Sequence, residues 1–240
     1  MPNPKALRKL LSANNPNWEV EEGISPEGKI ANKYYFKGER ARRVRLISRL
    51  AQQAAGYTLI EKDLRNIDWS ILHILSLLEK IAPGVPKSGR PQITPGNQTQ
   101  SNLMKMLLVG AVTLYGKLFV SAKGRRAQLD RSHVAERLRT DHDFIMELRH
   151  NFAAHSGEIK HEEATIVLLL EPNEAAHGEF FLSTELKQPT ALTTETLDSF
   201  LGIVKHLQKE VMKRREALFD KIVLEQIKPV GHAHWYSISE

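Results

Sequence analysis

The segment MELRHNFAAHSG, residues 146–157, holds the two residues best suited to chemistry, Arg149 and His155. Arginine can bind a phosphate through two parallel hydrogen bonds and offset the negative charge that develops on it. Histidine can exchange a proton near neutral pH. The pair therefore suits RNA cleavage by the RNA's own 2′-hydroxyl, a reaction that requires neither a metal nor a protein nucleophile.

Six helical steps separate Arg149 from His155. On a helix their side chains point roughly 120° apart, and their Cα atoms lie roughly 9 Å apart along the axis. One chain could bring both to one phosphate, and two chains packed through this face could place two such pairs in one cleft. A structural role stays open, because Arg149 could pair with Glu147 or with a neighbouring helix, and both side chains could interact with the carbonyl end of their own helix.

The elements that must position this pair are mostly helical. Apolar residues recur at helical spacing in five long segments, and a short basic helix is predicted over residues 5–11. The long segments are residues 39–55, 59–82, 101–121, 132–155 and 193–227. Gly56 and Gly157 are expected to end the helices before them, and Thr194 is expected to cap the last helix.

Residues 164–170 and 178–186 are short, apolar and rich in strand formers, so they predict a β-hairpin. The fold expected is mainly α, a bundle of four to five helices with a small hairpin before the last long helix. We predict an N-terminal basic helical extension over 1–56, the bundle over 57–228 and a tail over 229–240.

Composition narrows the possible classes of protein. Hydrophobic residues make up 41% of the 240 and charged residues 26%, an ordinary folded mixture that excludes wholesale disorder. The absence of cysteine excludes disulfides, thiolate metal sites and cysteine nucleophiles. No segment reads as a secretory signal or a membrane span, so a cytoplasmic protein is expected.

The formal net charge of +6 favours a polyanionic partner. Two basic clusters are candidate nucleic-acid-binding sites, although either could be a solvated helix face. One lies on the predicted helix 39–55 and the other precedes the Arg–His segment; their members are Arg42, Arg43 and Arg45, and Lys123, Arg125 and Arg126. His232 and His234 lack further ligands in the pattern, so neither a metal nor a cofactor is expected.

The run LRHNFAAH resembles the signature of HEPN domains, a superfamily of helical nucleic-acid-processing proteins. That signature is an arginine, usually a polar follower, and a histidine four to six residues after the arginine. Arg149, His150 and His155 match it in that order. A helix containing TLYGKLF, residues 113–119, precedes the motif, as in HEPN-like proteins related to abortive-infection systems. The similarity spans roughly residues 60–225.

The resemblance implies a bundle that dimerises through its motif helices. Many members are metal-independent endoribonucleases that act as toxins or in antiviral defence; others only bind RNA or a partner protein. Carried over to this chain, it makes Arg149 and His155 catalytic and His150 a weaker, supporting candidate, with RNA as substrate, 2′,3′-cyclic phosphate ends and a possible antitoxin as partner. A non-catalytic RNA-binding or protein-interaction module, and a purely structural helical protein, stay open as alternatives.

Overall fold

A computed structural model of the chain describes residues 8–10, 15–28, 31–89, 95–121, 124–150, 163–170, 180–187 and 192–239. Five α-helices account for most of them: α1 (Arg49–Ile81), α2 (Gln98–Leu118), α3 (Arg139–Leu148), α4 (Thr194–Ile222) and α5 (His232–Ser237). The predicted mainly α fold is confirmed. By their contacts the residues form two compact units, 52–218 and 1–51 together with 219–240. That grouping places the tail with the N-terminal residues, and the division predicted from sequence stays a prediction.

The core of the 52–218 unit comes from apolar stripes on its long helices. Each stripe follows the spacing of three and four residues that brings side chains to one helix face. Fully buried members include Leu64, Ile67 and Ile71 on α1, Met104, Ala111 and Tyr115 on α2, and Leu197, Phe200 and Val204 on α4. Burial of these stripes is the main force that holds the bundle together.

Helix α1 is continuous through Gly56, so the predicted break there is wrong. A Cβ placed on Gly56 would lie 2.8 Å from the backbone nitrogen of Ala127 and 2.9 Å from its Cβ. The glycine therefore lets the connection after α2 approach α1 closely, and its role is packing rather than termination. The helix begins only at Arg49, where the Ser48 hydroxyl accepts a 3.2 Å hydrogen bond from the Ala51 amide.

The N-terminal residues form a sheet that the sequence analysis missed. Strands β1 (Arg8–Leu10), β2 (Trp18–Glu21), β3 (Lys33–Phe36) and β4 (Glu39–Arg40) pair antiparallel in chain order. The helices predicted over residues 5–11 and from residue 39 are therefore wrong where those residues are described. Alternation in WEVE and the aromatic run KYYF favour strands, and direct pairing of Trp18 with Phe36 fixes the register.

The predicted hairpin before the last long helix is confirmed. Strands β5 (Glu163–Leu170) and β6 (Phe180–Lys187) pair antiparallel from Glu163 opposite Lys187 to Leu170 opposite Phe180. Its apolar side chains are largely exposed, since Ile166, Leu168 and Leu169 each keep half or more of their surface accessible. Successive residues of a strand point to opposite faces, so both faces of the hairpin present apolar surface.

The last long helix, α4, begins one residue after its cap. The Thr193 hydroxyl, rather than that of Thr194, accepts a 3.2 Å hydrogen bond from the Thr196 amide. The helix ends at Ile222 and continues as a wider π turn, Val223–Ile227. Among the described helices, none combines the length and the apolar character that a membrane crossing requires.

Candidate active site

Helix α3 presents the motif arginine at its C-terminal end. Two single 3₁₀ turns, Arg131–His133 and Glu136–Leu138, lead into it, so the regular helix begins at Arg139 rather than at residue 132 as predicted. The Asp130 carboxylate opens this lead-in by accepting the Ser132 amide at 2.8 Å. The pKa of Asp130 falls to about 2, chiefly because the Ser132 hydroxyl also donates to the carboxylate.

Arg149 follows the last residue of α3, and its amide bonds back to the carbonyls of Ile145 and Met146. Its side chain is half-buried and lies across helix α2 at Gly116, which is buried. A Cβ on Gly116 would stand 2.8 Å from both Cγ and Cδ of Arg149 and 2.9 Å from its Nε. Only glycine leaves room for the arginine in this position.

This contact joins helix α2 to Arg149, the first residue of the predicted Arg–His pair. Among the described residues, no carboxylate forms an ion pair with Arg149, so the pairing with Glu147 considered above is not made. Packing against α2, rather than a salt bridge, fixes the course of the Arg149 side chain. A guanidinium without a carboxylate partner is suited to bind an anion.

A buried polar pair lies between the same two helices. The Tyr115 hydroxyl and His142 Nδ1 share a 2.6 Å hydrogen bond, and the Phe119 ring lies 4.6 Å from the His142 ring. Burial lowers the pKa of His142 and raises the pKa of Tyr115 well above its ordinary value. Both groups are therefore neutral near pH 7. His142 is a core residue with 4% of its surface exposed.

The second member of the pair, His155, lies outside the described residues, as do Phe152 and Gly157. His150 is exposed on the π turn beside Arg149. The structure thus places Arg149 and His150 at the end of α3, while the position of His155 stays a prediction.

The basic residues before the motif separate into two kinds. Arg125 is buried, with 8% of its side chain exposed, and forms an ion pair with Asp63 of α1; Lys117 Nζ lies 3.4 Å from the same carboxylate. Arg126 is exposed, and Lys123 lies outside the described residues. Of the predicted contacts to nucleic acid in this cluster, Arg126 is the one the described structure leaves at the surface.

The other basic cluster is exposed but does not lie on a helix. Arg42, Arg43 and Arg45 fall in a stretch without regular secondary structure between β4 and α1, so the predicted helical arrangement is wrong. The Arg42 guanidinium stands 5.7 Å from the centre of the Tyr236 ring and donates to the Tyr236 carbonyl at 3.5 Å. His232 and His234 lie on α5, and among the described residues no group of three or more potential ligands could hold a metal ion.

We compared the chain with known proteins in three ways. No protein-family profile matches it, no curated protein matches it, and no solved structure matches it. The function of the site is therefore argued from its own residues.

Sequence reasoning missed several residues that build these sites. The partner of Gly116 could not be named from the sequence, because Arg149 lies 33 positions further along the chain. Asp63 gave no signal beyond its place on α1. Strands β2 and β3 did leave a signal in the sequence, namely the alternation in WEVE and the aromatic run KYYF. The prolines and glycines around these segments obscured it.

Proposed function

We propose that this chain is a metal-independent endoribonuclease of the HEPN type, a toxin or antiviral-defence effector that acts in the cytoplasm. Arg149 binds the scissile phosphate, His155 exchanges the proton, and His150 supports them from the next position. The protein works as a homodimer through the motif helix and is controlled by an antitoxin protein. The observation that supports the proposal is the packing of Arg149 on Gly116 at the end of α3, where no carboxylate of the described residues forms an ion pair with the guanidinium.

The reaction needs no group beyond these residues and the RNA. The 2′-hydroxyl oxygen attacks the adjacent phosphorus as it loses its proton, and the bond from phosphorus to the 5′-oxygen breaks. The 5′-oxygen gains a proton, so the products carry a 2′,3′-cyclic phosphate and a 5′-hydroxyl. Arg149 offsets the charge on the phosphorane, and histidine serves as the general acid or base.

The test is cleavage of single-stranded RNA by the purified protein in the presence of EDTA. We expect wild type to cut, and Arg149→Ala to slow cutting by a factor of about 10²–10³, as for removal of a transition-state donor. His155→Ala is expected to abolish cutting. Arg137→Ala is the matched control, because Arg137 is an exposed arginine just before α3.

Two further measurements define the chemistry. RNA with a 2′-deoxy sugar at the scissile position should resist cleavage, and the products of unmodified RNA should carry cyclic phosphate ends. Cleavage that depends on added metal, or that survives in both Arg149→Ala and His155→Ala, would contradict the proposal. If all proteins bind RNA equally and none cuts it, the chain is a non-catalytic RNA-binding module, a reading that its exposed arginines favour.

A further inference from the structure

The unit made of residues 1–51 and 219–240 contains an open pocket of about 520 Å³. This volume falls within the range of about 300–1,000 Å³ typical of small-molecule sites. The sheet supplies Trp18 and Phe36, the irregular stretch after β4 supplies Arg42 and Val44, and α5 supplies His232 and Tyr236. None of these residues belongs to the predicted Arg–His segment, residues 146–157.

The pocket presents aromatic surface that nothing in the described chain covers. Trp18, Phe36 and Tyr236 keep 36%, 40% and 55% of their surfaces exposed. The Trp18 and Phe36 rings lie 4.9 Å apart across the two strands, and the Tyr236 ring lies 4.7 Å from that of His232. These pairings hold the rings in place while leaving part of each accessible.

Cationic side chains lie beside the aromatic rings. Arg40 and Arg42 line the pocket together with a single acid, Glu39. Lys37 lies 5.5 Å over the Phe36 ring, and the exposed Arg43 and Arg45 follow along the same stretch. Residues 37–45 thus carry five cationic side chains against one carboxylate. Such a stretch attracts a phosphate backbone.

We propose that this pocket binds one unstacked base of a single-stranded RNA, with the neighbouring phosphates on Arg40 and Arg42. Aromatic faces beside cationic side chains are the two components that single-stranded nucleic acids require of a binding surface. A base inside a duplex has both faces covered by its neighbours, so the pocket selects unpaired nucleotides. The inference rests on the proposed action on RNA and identifies a binding site for that substrate.

The test measures the affinity of a fluorescently labelled, short oligoadenylate RNA for the full-length His155→Ala protein, which holds RNA without cutting it. Added to this background, Tyr236→Ala and Trp18→Ala are each expected to raise Kd by a factor on the order of ten, because each removes a stacking surface. Tyr236→Phe should keep the affinity, since it keeps the ring. Trp69→Ala is the matched control, because Trp69 is 61% exposed on α1, outside the pocket.

Arg42→Gln provides a second, independent variant that removes a cation without removing a ring. It should raise Kd and weaken the salt dependence of binding. The proposal is overturned if Tyr236→Ala, Trp18→Ala and Arg42→Gln all bind the RNA as tightly as the background protein while circular dichroism shows them folded. It is equally overturned if the variants lose binding to phosphatidylserine vesicles and keep their affinity for RNA.

The two proposals fail separately. If the ring variants weaken binding but wild type never cuts RNA, the pocket stands and the nuclease assignment falls. If wild type cuts RNA and the ring variants bind it unchanged, the nuclease assignment stands and the pocket falls.

Discussion

Gly116 and Arg149 depend on each other for their positions. A Cβ on residue 116 would lie 2.8 Å from both the Cγ and the Cδ of Arg149, so the arginine side chain occupies the space that a larger residue would need. Gly110, on the same helix, is exposed and has open space in place of a Cβ. The two glycines therefore form a matched pair: Arg149 occupies the space beside Gly116, and the space beside Gly110 is empty.

We expect opposite effects from alanine at these two glycines. Gly110→Ala should raise the free energy of unfolding by up to about 1 kcal/mol, since alanine favours helix. Gly116→Ala should lower it by about 1–3 kcal/mol through overpacking, and should reduce RNA cleavage by displacing Arg149. Urea denaturation measures the stabilities. In an Arg149→Ala background, Gly116→Ala should become stabilising; equal stabilisation by both alanines in the wild-type chain would show that Arg149 does not occupy this space.

His142 makes the stability of the fold depend on pH. Its pKa is lowered from the ordinary 6.5, first by burial. The unfolded chain therefore binds a proton that the folded chain resists. The folded state therefore keeps its full stability above about pH 6.5. Below that pH the free energy of unfolding decreases, because the unfolded chain takes up the proton more readily than the folded chain. We expect His142→Gln to flatten the dependence of unfolding free energy on pH between about 7.5 and 5, measured by urea denaturation.

His234→Gln is the control for this measurement, because His234 is an exposed histidine on α5. Glutamine at position 142 offers a neutral acceptor to the Tyr115 hydroxyl, so the variant removes the titration without leaving the site apolar. An unchanged slope in His142→Gln would mean that other groups set the acid sensitivity.

At the scale of elements, the connection between α2 and α3 is a packed segment. Ala127 lies against Gly56, the Leu129 amide donates to the Leu118 carbonyl at 3.0 Å, and Arg125 is buried beside Asp63. The connection therefore ties the end of α2 to α1 and sets the place where α3 begins. Arg125 and Arg126, which are adjacent in this connection, have different roles.

Arg125→Ala is expected to lower the free energy of unfolding by about 3 kcal/mol, because it removes the closest partner of a largely buried carboxylate. Arg126→Ala should leave stability within about 0.5 kcal/mol, as for exposed positions in general, and should weaken RNA binding. Chemical denaturation and a binding titration on the same two proteins separate the effects. A loss of RNA affinity in a fully stable Arg125→Ala protein would contradict this division.

At the scale of the whole molecule, described residues from the N-terminal and C-terminal parts of the chain belong to one compact unit. Ser48 donates to Gln226 at 2.7 Å, Arg42 contacts Tyr236, and the Trp235 indole donates to the Ile227 carbonyl at 3.0 Å. The tail therefore forms part of the pocket that includes residues of the N-terminal sheet.

Removal of residues 229–240 should loosen the N-terminal sheet. We expect faster hydrogen exchange at the amides of β2 and β3, because this truncation removes Trp235 and Tyr236 and with them one wall of the pocket. Removal of residues 238–240 alone is the control, since it leaves both rings in place. Unchanged exchange in the longer truncation would show that the sheet does not depend on the tail.

The sequence by itself determined the helices of the bundle and the hairpin, because the spacing of apolar residues is a local property that neighbouring residues already fix. It also singled out the arginine at the end of α3. Only the tertiary structure decided that Gly56 continues a helix, that Gly116 receives Arg149, and that an aromatic pocket forms from Trp18 and Tyr236. Those features are contacts between residues far apart in the chain, and the local pattern around each is the same whether or not the partner is there.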